Sequence, residues 1–502
     1  MRHIHIDPAA GTKAKAKHWN ACVGGGRAYE SLTAENQRHL KEAVEECGFR
    51  YLRFHGLLHD DMGVYTEDSN GHARYNFQYI DLLFDFMLQI GVRPFLELGF
   101  MPKALASGKT TIFAWNGNVT MPKSMEKWSA LIAALFRHLI ARYGKAEVRR
   151  WPVEVWNEPN LRCFFDSDQP FEDYLKLYAN TVKAVKSVDD KILVGGPATA
   201  GLAWVEPFIS ACAANEYPLD FISTHNYGCV DYQSGDDGYV DLFGTGKTVM
   251  HADSGTLIKG AQTVHHTVRS SALPALQIHY TEWSASYTPR DPVHDSYYSA
   301  AYILDQLTGF DGLADSMSYW TFSDIFEETG PGPSPFHGGF GLQNIQGIKK
   351  PSFFAFWYLN MLPDQMIATS DRRCVAGTDG QTLAVLFWDH TPPVQTKCNQ
   401  LFFKENPKPD ASDPVQLTVC LPDGQYRLDR YSVGYGVNDC YTAFLNLDTD
   451  GTLLPKQVEF LKSKCNGKPI ASQMVSVRGG YTAVQPMRQN DVYLYMFYPV
   501  DK

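Results

Sequence analysis

Eight times between residues 18 and 362, a short apolar run is followed by a longer segment with helical spacing. The runs are His18–Gly26, Phe49–Gly56, Val92–Leu98, Trp151–Trp156, Lys191–Gly195, Asp220–Asn226, Leu276–Thr281 and Ser316–Phe322. The predicted helices that answer them are Leu32–Cys47, Tyr79–Ile90, Met125–Tyr143, Phe171–Val188, Trp204–Asn215, Gly255–Ser271, Ser296–Thr308 and Pro351–Leu362. Short apolar strands that alternate with helices predict a parallel sheet. Eight such units predict an α/β chain closed into a (β/α)8 TIM barrel. Within the first unit, glycines 24–26 read as a turn ending the strand. Thr33 reads as the N-cap of the helix and Gly48 as its stop. Beyond Pro363 the helical period gives way to alternating runs at 382–388, 415–421, 425–431 and 491–498, interrupted by one helix at 456–464. Alternation broken by Pro, Gly and Asp turns predicts an antiparallel β-sandwich. The expected organisation is a catalytic barrel over 15–362 and a sandwich accessory domain over 363–502. Residues 1–14 are expected to carry a strand, Ile4–Ile6, that joins the sandwich.

In such a barrel, chemistry belongs to the carboxyl ends of the strands. The sequence puts His55, Glu97, Asn157 with Glu158, His225 with Tyr227, Glu282 with Trp283, and Trp320 with Asp324 there. Period-2 alternation groups Arg53 with His55, Glu154 with Trp156 and Glu158, Ser223 with His225 and Tyr227, and Tyr280 with Glu282. Glu158 closes the fourth unit's strand in R-W-P-V-E-V-W-N-E-P-N (150–160), and Glu282 closes the seventh in H-Y-T-E-W-S (279–284). Strands four and seven face each other across a barrel mouth. Cleaving a glycosidic bond needs one carboxylic acid to protonate the departing oxygen. It needs a second carboxylate to attack the anomeric carbon or to activate water against it. A single strand-end glutamate has a plain structural reading as half of an ion pair. Two on opposed strands, each beside a tryptophan, point to that chemistry.

The bulk properties narrow the partner. Forty-five basic against 55 acidic residues leave a net charge of −10, which argues against nucleic acid or an anionic membrane surface. Aromatic residues at 13% suit a site that stacks sugar faces, so a small neutral oligosaccharide is the expected partner. No stretch approaches 18 apolar residues and the first residues hold no apolar run of signal length, so neither a membrane span nor a secretory signal is expected. The ten cysteines are scattered without a C-x-x-C, which predicts reduced thiols and a cytoplasmic protein. No metal and no organic cofactor are expected. His265-His266 lacks zinc-site spacing. F-G-T-G-K-T at 243–248 has Asp241 where a phosphate loop needs its first glycine, and no G-x-S-x-G occurs.

Several longer runs carry a resemblance. They include C-V-G-G-G-R (22–27), H-G-L-L-H-D-D-M-G-V-Y (55–65), P-F-L-E-L-G-F-M-P-K (94–103) and W-N-E-P-N-L (156–161). They continue with V-G-G-P (194–197), P-V-H-D (292–295), Y-W-T-F-S-D-I-F-E-E (319–328) and F-H-G-G-F-G-L (336–342). With these the chain resembles glycoside hydrolase family 39, specifically its bacterial β-xylosidases. The resemblance implies a retaining enzyme with Glu158 as general acid/base and Glu282 as nucleophile. It implies a sugar-binding shell of His55, Asn157, His225, Tyr227, Trp320, Glu327 and Glu328. Asn157 suits the sugar 2-hydroxyl, Tyr227 suits the nucleophile, and the Glu282 charge would help raise the Glu158 pKa. Trp283-Ser284 stands where the family carries Tyr-Asn, so Trp283 joins the residues expected to set sugar preference. The implied reaction is release of xylose from non-reducing ends of β-1,4-xylo-oligosaccharides, by a chain that can form a homo-oligomer, a tetramer in family members. An α-L-arabinosidase, a β-glucosidase or an α-L-iduronidase-like enzyme remains open within the family, and a non-catalytic sugar-binding barrel outside it.

Overall fold

The computed structural model describes residues 1–16, 18–233 and 246–500, so 243–245 of the F-G-T-G-K-T stretch lie outside the described residues. Eight parallel strands close in sequence order: β1 (Cys22–Arg27), β2 (Tyr51–His55), β3 (Arg93–Leu98), β4 (Val153–Val155), β5 (Val194–Thr199), β6 (Phe221–Tyr227), β7 (Gln277–Ser284) and β8 (Ser316–Tyr319). Closure is made by Ser318 opposite Cys22 and Tyr319 opposite Val23. The helices that follow are α1 (Ala34–Cys47), α2 (Gln78–Gln89), α3 (Met125–Tyr143), α4 (Pro170–Val188), α5 (Val205–Ala214), α6 (Thr256–Arg269), α7 (Tyr298–Gly309) and α8 (Pro351–Met361). Every residue of β1 and β4 is buried, as strands sandwiched between barrel interior and helix layer must be. Helix α1 ends as read, with Gly48 left-handed at φ 73° and its N–H on Val44 O. Thr33 takes the N-cap position, but its hydroxyl donates to Glu30 O instead of capping the helix.

The glycine run corrects one expectation. Gly24, Gly25 and Gly26 do not turn; they continue β1 to Arg27. A Cβ on Gly24 would overlap the Trp320 ring, and one on Gly26 would overlap the Glu30 carboxylate. The glycines are there because neighbours press on the strand.

Two sheets stack beyond the barrel. The seven-stranded one runs Thr12–Ala14, Gln365–Ile367, Cys374–Thr378, Leu383–Trp388, Val492–Pro499, Gly424–Val433 and Ala471–Val477. The three-stranded one runs Arg2–Ile6, Ala411–Val419 and Tyr481–Arg488, its N-terminal strand parallel to Ala411–Val419. Ile4, Ile6, Leu417, Val385, Phe387 and Phe497 form the core between them. Alternate residues Ala384, Leu386 and Trp388 instead join the barrel's own core. That is why Leu383–Trp388 is apolar throughout: it is covered on both faces. Asp305 of α7 fastens the two parts, taking Arg373 Nε at 3.1 Å, Trp388 Nε1 at 3.4 Å and His390 Nδ1 at 3.0 Å.

Candidate active site

Arg53 sits on β2, two residues before the strand end, and is wholly buried. A buried guanidinium must find acceptors, and the strand ends around it supply them. Its Nε donates to Glu154 Oε2 at 2.9 Å, one terminal nitrogen donates to Asn157 Oδ1 at 2.8 Å, and the other to Glu282 Oε1. Glu97 Oε2 lies 3.0 Å away. Burial alone would favour losing the proton, but Glu154, Glu97 and Glu282 outweigh it and hold Arg53 charged. Glu97 also takes His55 Nδ1 at 2.5 Å. Burial works against the Glu97 charge, yet His55 and Arg53 prevail and keep its carboxyl below the ordinary range.

The backbone at the end of β4 departs from strand geometry, and that departure aims two polar side chains inward together. Trp156 (φ 69°) and Glu158 (φ 45°) both lie in the left-handed region, a strain of about 1–3 kcal/mol each that surrounding contacts must hold. Glu158 N–H donates to Ala198 O at 2.9 Å. Asn160 exchanges two hydrogen bonds with Ala200, at 2.9 and 3.1 Å. These bonds stitch the turn to the end of β5. Trp156 consequently leaves the face of Glu154 and Glu158: its Nε1 donates to Phe164 O at 2.8 Å, and its ring packs on Phe100 and Phe165.

On β7 the register against β6 shifts between Thr224 and His225, so that Thr224 pairs with Tyr280 while His225 pairs with Glu282. A bulge re-aims side chains. Thr281 and Glu282 both face the barrel interior, whereas Tyr280 packs outward on Phe310. Simple alternation, which grouped Tyr280 with Glu282, fails for this reason. Trp283 then falls on the outer face, fully buried edge-on to Tyr319.

The result is a cavity of about 630 Å³ at the strand ends. His55, Asn157, Glu158, Tyr227, Glu282, Trp320 and Glu328 line it, together with Leu161, Phe164, Val230 and Tyr287. Tyr227 donates to Glu282 Oε2 at 2.7 Å. An oxygen of Glu158 and an oxygen of Glu282 lie within 4.8 Å of each other. Burial, helped by Glu97 and opposed by Arg53 and His55, pushes Glu158 up to about 7. Burial among Glu282, Glu30, Glu158 and Glu97 pushes Glu328 well above the carboxylate range. Glu158 and Glu282 therefore face one another at the cavity. A larger hollow of about 710 Å³ lies between the N-terminal segment and the sandwich. Its acids, Asp311 and Asp371, are already paired with Lys13 and Arg2.

A family model for glycosyl hydrolases of family 39 matches residues 2–425. The chain belongs to glycosyl hydrolase family 39. It is 42% identical over 395 residues to a β-xylosidase of Geobacillus stearothermophilus, covering 78% of this chain and 77% of that one. It is 43% identical over 385 residues to a β-xylosidase of Caldicellulosiruptor saccharolyticus, covering 75% and 76%. The crystal structure of a monomeric β-xylosidase from Caulobacter crescentus CB15 superposes over the whole of both chains with a TM-score of 0.95 at 38% identity.

Within this family 39 glycoside hydrolase, the residues singled out by sequence separate into three groups. Glu158, Glu282, His55, Asn157, Tyr227, Trp320 and Glu328 meet at the cavity. His225 lies behind it, fully buried, with Nδ1 2.8 Å from Glu158 Oε1. Trp283 and Glu327 lie elsewhere: Trp283 in the layer between barrel and helices, Glu327 at the rim, 3.0 Å from Arg27. Sequence reasoning placed Arg53 on the inward face but did not see it as the hub. A charged side chain inside an otherwise apolar strand is the available signal. Glu154, set between Val153 and Val155, carried the same signal; Thr281 carried none, since the bulge that leaves it inward together with Glu282 is invisible to periodicity.

Proposed function

We propose that this enzyme is a retaining exo-β-xylosidase that removes xylose from the non-reducing ends of short β-1,4-xylo-oligosaccharides. The separation of the two carboxyl groups carries the reading. Retaining glycosidases hold theirs about 5–5.5 Å apart, whereas inverting ones leave roughly 6.5–9.5 Å for a water. Oxygens within 4.8 Å fit the first arrangement.

Glu158, pushed up to about 7 by burial, holds a proton near neutral pH and gives it to the departing oxygen. Glu282, steadied by Arg53 and by the Tyr227 hydroxyl, attacks the anomeric carbon and forms the glycosyl-enzyme. The ionised Glu158 then takes a proton from water as that ester is hydrolysed. Asn157 gives its carbonyl to Arg53, which leaves the amide N–H groups free for the sugar 2-hydroxyl. His55, Trp320 and Glu328, whose carboxyl burial pushes well up, help hold the ring. Ala114 N–H holds the Glu328 backbone carbonyl at 2.8 Å. The two relatives described as β-xylosidases, at 42% and 43% identity, support xylose as the sugar.

A panel of para-nitrophenyl β-xyloside, β-glucoside and α-L-arabinoside, with an aryl α-L-iduronide, tests the sugar, and proton NMR of the first product tests the stereochemistry. The β-xyloside should be cleaved fastest, with β-xylose appearing first. A faster second sugar would displace the substrate reading, and α-xylose first would displace the mechanism. No cleavage of any of them would favour a sugar-binding barrel.

A further inference from the structure

Behind the cavity wall a chain of hydrogen bonds leads away from Glu158. Glu158 Oε1 is 2.8 Å from His225 Nδ1. The other ring nitrogen, Nε2, is 3.1 Å from Thr281 Oγ1. Thr281 in turn donates to Glu154 Oε1 at 2.7 Å, while the second Glu154 oxygen takes Arg53.

Proton counting gives this chain a direction. A threonine hydroxyl has one proton to give. With that proton committed to Glu154, Thr281 can only accept from the ring, which puts the imidazole proton on Nε2. A neutral imidazole protonated at Nε2 presents a bare lone pair at Nδ1, so Glu158 must supply the proton of that contact. The ring is neutral around pH 7, since burial pushes His225 down to about 4. The reverse polarity would send Nδ1–H to an ionised Glu158 and turn Thr281 toward Nε2. It would strip a buried oxygen of Glu154 of its donor, which carries the full penalty of an unmet polar group.

We propose that Thr281 and His225 are positioning residues that read the Glu154 carboxylate and keep a proton on Glu158 in the free enzyme. This rests on the reading of Glu158 as the acid/base. The β7 bulge makes it possible, because it leaves Thr281 and Glu282 side by side on the inner face. Other groups also face Glu158. Arg53 and His55 from β2 draw it toward its charge, and Glu97 from β3 draws it away. Glu282 from β7, Tyr227 from β6, Glu328 from the loop after β8 and Cys163 from its own loop also interact with it. The relay adds a directional bias that none of these charges supplies.

The test is the pH dependence of kcat/KM, which reports the free enzyme. In Thr281→Val the basic limb should move down by about one pH unit, the scale of one such hydrogen bond. Thr281→Ser, which keeps the hydroxyl, should restore it. A Thr281→Val limb that coincides with wild type, even with activity lowered evenly at every pH, overturns the proposal. Glu158→Gln separates this from the parent reading. If it harms poor leaving groups no more than activated aryl ones, the acid assignment itself fails. If that selectivity is intact and the limb is unmoved, only the relay fails. Should Thr281→Val not fold, nitrogen-15 shifts of His225 in labelled wild-type enzyme decide. An Nε2–H ring supports the relay, and an Nδ1–H ring overturns it.

Discussion

Glu158 owes its elevated pKa to burial, and that gives it an effect on stability as well as on rate. Its folded value lies at about 7 against 4.5 for the ordinary carboxyl, so between the two the native state holds a proton that the unfolded chain releases. The stability it contributes is full below 4.5 and is lost as pH rises through about 7. Glu158→Gln cannot titrate. Its urea midpoint should therefore gain on wild type between about pH 5 and about pH 8, the difference growing with pH. A constant difference would mean that Glu158 is not held protonated by the fold. At this scale the sequence was readable where the residue's chemistry is unusual for its place. A glutamate after an asparagine at a strand mouth, and its counterpart on the opposed strand, stand out in the chain itself. The direction each side chain takes was not readable. Left-handed backbone at Trp156 and Glu158 and the bulge at Thr281 both break the two-residue period. Trp283 was expected to set sugar preference because it stands where the family carries Tyr, but its place next to Glu282 sends it to the other face once the bulge is passed.

Among the elements, β1 has a composition set by its neighbours. Its glycines carry no chemistry, but they let Trp320 and Glu30 come against the backbone. Glu30 in turn accepts Arg27 N–H at 3.1 Å and Glu327 N–H at 3.0 Å, which ties the first strand's end to the loop that carries Glu328. Gly24→Ala puts a methyl into the Trp320 ring, and β1 cannot yield without disturbing its pairing with β8. Overpacking of this kind costs about 1–3 kcal/mol. It should appear as a lower melting temperature and a KM raised about tenfold or more, since Trp320 lines the cavity. An unchanged KM would show that Trp320 does not hold substrate. Strand and helix positions were largely legible, because eight apolar runs each answered by a helical one leave little choice of topology. The glycine run was misread as a turn, because glycine for freedom and glycine for clearance look alike in a sequence.

As a whole molecule, the chain builds its site from residues dispersed over some 270 positions, from His55 to Glu328, and only closure of the barrel brings them together. The stacked sheets do not line that cavity. They cover the helix layer instead, through Ala384, Leu386 and Trp388 and the Asp305 cluster, and the N-terminal strand is part of their core. The change of period after Pro363 made the sheets visible in sequence. Their face against the barrel was not, because a strand covered on both sides loses its alternation. Everything proposed for the chemistry depends on opposed roles for the glutamates of β7 and of the loop after β4. Chemical rescue by azide tests those roles most directly. In Glu282→Gly, azide should take the vacated place, restore turnover of an activated aryl β-xyloside and yield the α-xylosyl azide. Formation of the β-xylosyl azide would reverse the two roles, and undiminished activity without azide would remove Glu282 from the reaction altogether.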